Sequence, residues 1–523
     1  MIINQIIKTF FVLLIASNFT VANTVKNELT LEDCIVSAIK NNFGAAVEIL
    51  RPEIAEMSVS IAKQKFLPQL GFQYGRQNTN TASYSWIDAA GKVTEEYNDY
   101  AVQLIQEIPT GGSLTMSIYS YDLSTNRKFQ TINPRYGSTL QFQLSQPLLK
   151  DFGFKISRRE ILVARTNQQI SEAGLRNNLI NIIYSVEEAY WNLVYSIENL
   201  KVRQQSLQLA RDLLAKNKRE VEVGTLAPIE ILSAEAEVAT READILQAEV
   251  LVKNSEDTLK TLINLFPDDD QSEDNIIPTS KPVFEKHDIT IEDALMIGMD
   301  NRPDLDSRRL EVKNTELDLS YAKNQLLPSV NFDAAFWSPG TSGTAILYKN
   351  NDPLTEEVIG TIPGGAGDAL RDALDFKYQN WELGVTFTVP IETIFSRAAY
   401  ARAKLNKKLA LFNLENQEQQ VFLDIRNAVR TVQTNYKRVE AYKVAKELAL
   451  KKLEAEEKKL KVGLTTNYLV LQYQRDLDNA VSAELRAIID YNLSLARLDQ
   501  SMGTSLKTKN IRLTDVGTGL LNY

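Results

Sequence analysis

The chain has 523 residues with 67 acidic against 58 basic side chains, a formal charge of -9. With a pI near 5.2 it lacks the basic surface that phosphate contacts require, so nucleic acid is not its partner. One cysteine, Cys34, excludes an intrachain disulfide, and the chain contains no P-loop, HExxH, GxSxG or CxxC that would support an enzyme.

In chain order, Lys8 precedes an apolar run from Phe10 to Ala16 and then Thr20-Val21-Ala22. This is the order of a secretory signal peptide, with cleavage expected after Ala22; the run is too short to span a membrane. The bland alternative is a buried N-terminal helix. Glu32-Asp33 before Cys34 do not suit a lipid anchor, which wants small residues there.

The chain is then written twice. Leu29-Thr30-Leu31-Glu32-Asp33 returns 260 positions later as Ile289-Thr290-Ile291-Glu292-Asp293. The offset holds through Asn41/Asn301 and Leu67-Pro68/Leu327-Pro328 to Phe72/Phe332. A second block repeats 239 positions on, Val223-Gly224 against Val462-Gly463. A unit used twice predicts pseudo-symmetry. The expected organisation is a signal peptide over 1–22, a first repeat over 23–266, a linker over 267–288, a second repeat over 289–503 and a tail over 504–523. The linker carries Asp268-Asp269-Asp270, Pro278 and Pro282 and no periodicity. A run of like charge is ordinarily solvated rather than a cation site, and the single histidine, His287, lies in a polar stretch, so no metal site is expected.

Each repeat opens with a short helix, Thr30 to Phe66 and Thr290 to Leu327, ended by proline, which removes a donor and disfavours helix before it. Strands follow. Leu70, Phe72 and Tyr74, then Leu114, Met116 and Ile118, then Leu140, Phe142 and Leu144, and Leu383, Val385, Phe387 and Val389 alternate with small or amide residues. Period two with one polar face marks a strand wet on one side. A chain with a signal peptide and no apolar run of about 20 residues enters a membrane only as a closed barrel. Aromatics near the strand ends (Trp86, Tyr97, Tyr100, Tyr119, Tyr121, Trp337, Tyr378, Trp381) suit interfacial girdles, although ordinary sheets also carry them. Ser338 to Asn380, with Gly340 and Pro363-Gly364-Gly365, is expected as a long outer loop.

A long helix pattern follows in each half, Phe152 to Val223 and Ile391 to Val462, each ~108 Å at ~1.5 Å per residue. Apolar positions alternate at four and three from Ile182 to Val221, and the same seam recurs 239 positions on from Val421 to Leu460, interrupted at Arg203, Lys446 and Glu456. Shorter return helices run from Pro228 to Phe266 and from Asn467 to Met502. Each long helix is therefore matched in length by two short ones.

The order short helix, Leu-Pro, strands, proline, long helix, Val-Gly turn, short helix, taken twice, resembles the TolC-like outer-membrane efflux ducts. Leu29–Phe72 with Ile289–Phe332, Gln146-Pro147-Leu148 with Val389-Pro390-Ile391, Glu188-Ala189-Tyr190-Trp191 and the two Val-Gly turns carry the resemblance across almost the whole mature chain. It implies an α+β membrane protein: a homotrimer whose duplicated coiled-coil helices form a periplasmic α-barrel and whose strands form an outer-membrane β-barrel among outer-membrane lipid. The implied function is a passive exit duct of a tripartite efflux or type I secretion system, working with a periplasmic adaptor and an inner-membrane pump, with no cofactor. The resemblance also implies that Val223, Gly224, Thr225 and Leu226, with Val462, Gly463, Leu464 and Thr465, are adaptor-docking tips, although any helical hairpin wants such turns.

Two departures bear on function. The usual family member has four strands per chain, whereas an extra hairpin is expected here over 99–108 and 113–121, either in the barrel or packed beyond its rim. The places where some members carry two aspartates after the second tip hold Leu469 and Gln472, and the first-repeat equivalents are Glu230 and Ser233. Glu230 is therefore a candidate aperture ring, or simply a first-turn acid favoured by the helix dipole. The rival class is a non-conducting coiled-coil surface or adhesive protein anchored by a β-domain.

Overall fold

A computed structural model describes residues 28–265 and 275–511, apart from 84, 89, 356, 392 and 393. The signal peptide and Asp268–Asp270 lie outside the described residues. In chain order the elements are β1 (Glu28–Leu29), α1 (Leu31–Asn41), α2 (Phe43–Gln64), β2 (Gln69–Ala82), β3 (Lys92–Glu107), β4 (Ser113–Thr125), β5 (Ile132–Pro147), α3 (Phe154–Ser157), α4 (Arg159–Glu222) and α5 (Ile229–Ile263). There follow β6 (Ile277–Pro278), α6 (Ile291–Asn301), α7 (Pro303–Asn324), β7 (Ser329–Tyr348), β8 (Val358–Ile362), α8 (Ala366–Leu374), β9 (Asn380–Thr388), α9 (Ile394–Lys461), α10 (Asn467–Met502) and α11 (Ser505–Thr508). Two units divide the chain, and each draws on both repeats: one holds residues up to 49, 175–303 and from 419, the other 50–174 and 304–418.

The duplication is visible in local chemistry. Thr30 accepts from the Asp33 amide at 3.1 Å and Asp33 closes the capping box onto the Thr30 amide at 3.2 Å. In the second repeat Thr290 accepts from the Asp293 amide at the same 3.1 Å. Each cap satisfies amides that the helix start leaves without partners.

The expected first helix of each repeat is in fact two. The break falls at Asn42 and at Arg302. Asn42 turns extended and its Oδ1 accepts from Gly44 N at 2.8 Å and Ala45 N at 3.2 Å, so it caps the start of α2. In the second repeat Pro303 occupies the first helical position, which forces Arg302 out of the helix. The long helix of the first repeat starts at Arg159 rather than Phe152, because Gly153 takes a φ of 106° and only the single turn α3 precedes the break.

In the first unit, the core gathers one face of α1, the middle of α4, the end of α5 and part of the inter-repeat segment, with Ile35, Ile183, Leu193, Leu259 and Ile276 among its buried members. Burial on α1 pushes the Cys34 thiol up to about 12, which makes it inert. The seam expected along α9 is buried at Val421, Ile425, Ala428, Val432, Asn435 and Val439 and again at Leu453 and Glu456, while Tyr442 is exposed.

The linker has no periodicity, yet its described part is tied down. β6 pairs in parallel with β1. Tyr190, fully buried, donates to Leu29 O at 3.2 Å and accepts from Ser280 N at 2.9 Å. Asn492 brackets Val283 by both its amide and its carbonyl at 3.0–3.1 Å. The tyrosine of the Glu188-Ala189-Tyr190-Trp191 run thus clamps β1 to the segment just after β6, two stretches distant in sequence. His287 is exposed. The described part of the tail carries α11, with Ser505 buried and Lys509 paired to Glu187.

The second unit contains a sheet in the order β2-β3-β4-β5-β7-β8, with β9 also on β7. β9 pairs residues 329–337 of β7 and β8 pairs residues 345–348. The extra hairpin is longer than expected and is inserted between β2 and β5 as a full member of the sheet. The expected loop from Ser338 is also corrected. Residues 338–348 continue β7, with Pro339 opposite Thr139 and Gly340 opposite Ser138, and α8 and β8 follow. Local Pro and Gly signals read as loop; the hydrogen-bond ladder to β5 overrides them.

Candidate functional site

The sheet is two-faced, and register makes the faces legible, since directly paired residues of an antiparallel ladder share a face. One row runs Leu70–Leu104–Met116–Phe142–Phe336–Trp381 across β2, β3, β4, β5, β7 and β9. Flanking rows on that face bring Phe72, Val102, Ile118 and Leu140 together on one side and Leu114, Leu144, Ala334 and Leu383 on the other. On the opposite face the intervening row is Gly71–Gln103–Ser117–Gln141–Trp337–Asn380. Ser145 donates to Asp333 at 2.7 Å on the same polar face.

The apolar face is left open to solvent. Leu70 is 76% exposed, Phe72 75% and Trp381 70%. A contiguous apolar belt across six strands marks a lipid or protein contact rather than a free surface. No helix of the described residues is long and apolar enough to cross a membrane.

The aromatic residues divide between the faces. Tyr100 and Trp381 stand on the apolar face, and Tyr74 meets Tyr100 with centroids 5.2 Å apart. Tyr97, Tyr119, Tyr121 and Trp337 stand on the polar face, where Tyr97 stacks on Tyr121 at 5.5 Å and its hydroxyl bonds Tyr119. Those four do not belong to an apolar-side girdle. Trp86 sits in a single turn between β2 and β3, and Tyr378 is exposed just beyond α8.

α8 packs on the apolar side, toward the far end of the strands. A Cβ on Gly340 would lie 2.0 Å from Ala369 O, so only glycine admits the helix there. Beneath it Ser138, Leu140 and Ser338 are buried, and Phe376 meets Phe336 at 5.8 Å. With acids at Asp368, Asp372 and Asp375, α8 closes off the apolar belt at that end.

The two Val-Gly turns lie in the first unit and have one geometry. Gly224 has φ 76° and Gly463 φ 74°. Thr225 N bonds Glu220 O at 2.8 Å, and Leu464 N bonds Lys459 O at 2.9 Å, each bond spanning the glycine as in a Schellman ending. Val223, Ile229, Val462, Leu464 and Tyr468 are exposed around the turns, whereas Leu226 is half-buried.

Behind each turn a buried polar residue ties down the hairpin end, at positions again 239 apart. Asn217 donates to Glu230 O at 3.4 Å. Glu456 accepts from Thr465 Oγ1 at 2.5 Å and from Lys459 at 3.0 Å, which holds its carboxyl below the usual range, the Thr465 bond first. Glu230 itself is half-buried in the first turn of α5.

Sequence reasoning missed a buried charged cluster in the first unit. Arg241 on α5 is 4% exposed; its Nε donates to Glu237 at 2.9 Å, one Nη to Ser206 O at 2.5 Å and the other to Gln474 at 3.5 Å. Arg475 lies 3.7 Å from Glu237, and Ser206 donates to Asp478. Burial raises the Asp478 carboxyl above its ordinary range against the opposing pull of Ser206 and Arg241. The cluster links α4 and α5 of the first repeat to α10 of the second. Its one sequence signal is the i,i+4 spacing of Glu237 and Arg241, common on solvated faces. Among the described residues no cluster of His, Cys, Asp or Glu is placed to hold a metal ion.

The model of the outer membrane efflux protein family matches residues 34–265 and 298–504. Outer membrane protein TolC of Vibrio cholerae is 24% identical over 341 residues, 65% of this chain and 70% of that protein. Among solved structures, the CmeC outer membrane channel of Campylobacter jejuni aligns at a TM-score of 0.61 and 18% identity, covering 95% of this chain and 90% of that one. The outer-membrane channel OprN aligns at 0.63 and 15%, covering 91% and 90%. The open-state MtrE outer membrane channel of Neisseria gonorrhoeae aligns at 0.60 and 19%, covering 91% and 89%.

Proposed function

The chain belongs to the outer membrane efflux protein family, and from that premise we propose that three copies form a passive duct that an adaptor and an inner-membrane pump engage at the helical turns. It is an outer-membrane exit duct for efflux, with a large helical periplasmic portion. The observation that carries the conduit is the two-faced sheet. Strands with Leu70, Phe142 and Trp381 on one face and Gln103, Ser117 and Gln141 on the other satisfy lipid and water at once only when the sheet closes on itself, because hydrocarbon tolerates no open backbone edge.

On this reading the apolar face meets lipid and the polar face lines water. The acids of α8 mark where hydrocarbon ends, and Trp381 and Tyr100 are the interfacial aromatics. The exposed apolar side chains at Val223, Val462 and Leu464, with Gly224, Thr225, Leu226, Gly463 and Thr465, form the adaptor-docking tips: small, geometrically matched knobs at the ends of helical hairpins. Glu230, in three copies, faces the entrance. The duct itself does no chemistry; cargo moves because the pump drives it, and a wide aqueous path need not bind what passes.

Planar-bilayer recording tests the conduit. Purified protein should migrate as a heat-modifiable trimer and give stepwise currents. Intact trimers that stay electrically silent would instead favour the non-conducting adhesive reading, and native crosslinking that yields only monomer would remove the trimer.

A further inference from the structure

β2 and β9 are open edges of the sheet: among the described residues β2 pairs only with β3, and β9 only with β7. β2 has 14 residues and β9 has nine, so both edges are long and carry unpaired backbone groups. We propose that β2 of one copy pairs antiparallel with β9 of the next, with the β3–β4 hairpin inside the wall, so that three copies close a barrel of eighteen strands. This rests on the trimeric duct above; it adds the seam and the strand number.

Direction and register both fit. β2 leaves Pro68 at the helical end and β9 returns to that end at Pro390, so they run oppositely. One row of direct partners runs Gln69–Ile105–Thr115–Gln143–Ala335–Glu382. Glu382 is six residues short of Thr388, where β9 ends. Carried across the seam at level bases, the row meets Gly75 of the next copy, so it climbs about 20 Å at ~3.3 Å per residue over six strand spacings totalling about 29 Å. That is a tilt of about 35°, at the lower end of the window in which strands close into membrane barrels.

Level bases also put like beside like. Leu70 falls opposite Phe387, Phe72 opposite Val385 and Tyr74 opposite Leu383, all on the apolar face, while Gln73 falls opposite Gly384 on the polar face. A slip of one residue would put every apolar side chain of one edge opposite the wrong face of the other. At this tilt eighteen strands enclose a backbone diameter of about 34 Å, against about 23 Å without the hairpin.

The test uses the full chain in membranes on a Cys34→Ala background. Gln73→Cys with Gly384→Cys should give a covalent trimer on oxidation; Gly384 has nothing within 4 Å of an added Cβ, so the substitution fits. Separately, Gln103→Cys on β3 should react with a water-soluble maleimide at least tenfold more than its neighbour Val102→Cys, which faces lipid. Native trimers of the double variant that form no disulfide between positions 73 and 384 would overturn the seam. Equal labelling at positions 102 and 103 would place the hairpin outside the wall and overturn the strand count. If only monomers are present, it is the trimeric duct that fails, and the seam with it.

Discussion

Arg241→Ala perturbs a place where buried charge joins the two repeats within the first unit. The substitution removes the 2.9 Å charge-assisted bond to Glu237 and leaves that carboxylate 9% exposed, with only Arg475 at 3.7 Å. Breaking one side of a buried pair costs about 3–5 kcal/mol, because the remaining ion stays desolvated. Arg475 is 48% exposed and compensates in part, so the expected loss lies at the lower end, about 3 kcal/mol. Replacing both partners, Glu237→Leu with Arg241→Met, removes the orphaned Glu237 charge and should be more stable than the single variant. Urea unfolding followed by helical circular dichroism in detergent measures both. A loss under about 1 kcal/mol for Arg241→Ala, or a double variant as unstable as the single one, would refute the assignment of this cluster as a mutually dependent buried pair.

The remaining expectations are more local. Gly224→Pro and Gly463→Pro force φ near -65° where the chain holds 76° and 74°; export should fall about tenfold, for roughly 1–3 kcal/mol of strain per turn, with barrel insertion intact, and normal export by both would remove the tip assignment. Glu230→Gln keeps size but removes charge, so cation preference or divalent block should weaken in single-channel records without loss of trimer; unchanged selectivity would leave Glu230 a helix-start acid. Asp478 is raised by burial, so its protonated form is favoured in the folded chain. Its contribution is fully present below the unfolded carboxyl value of about 3.9 and is lost as pH rises through the raised folded value. Parent stability should therefore fall relative to Asp478→Asn as pH rises from about 4 to 7, and a stability difference that does not change with pH would refute the burial argument.

How much of this was legible in the sequence depends on the range of the interaction. The caps at Thr30 and Thr290 and the endings at Gly224 and Gly463 involve residues within a few positions of one another, so a repeated motif returns as repeated geometry. The breaks at Asn42 and Arg302 were missed because apolar periodicity runs through both; Asn42 reads as an ordinary helical residue until its side chain is seen capping Gly44 and Ala45. Pro303 was a usable signal at the second break. Pro339 and Gly340 misled in the other direction, since a long ladder with β5 outweighs them and the missing side chain of Gly340 makes room for α8.

The sequence by itself determined the duplicated order of elements, the long helices, the alternating strands and hence the family, all of which rest on spacing along the chain. Only the tertiary structure decided that the β3–β4 hairpin joins the sheet, which face Tyr97, Tyr119, Tyr121 and Trp337 occupy, that Tyr190 clamps the linker and that Arg241 is buried against Glu237 and Gln474. The physical reason is that strand pairing and burial are set by partners tens to hundreds of residues away. Alternation shows that a strand has two faces; only register shows which neighbours share them.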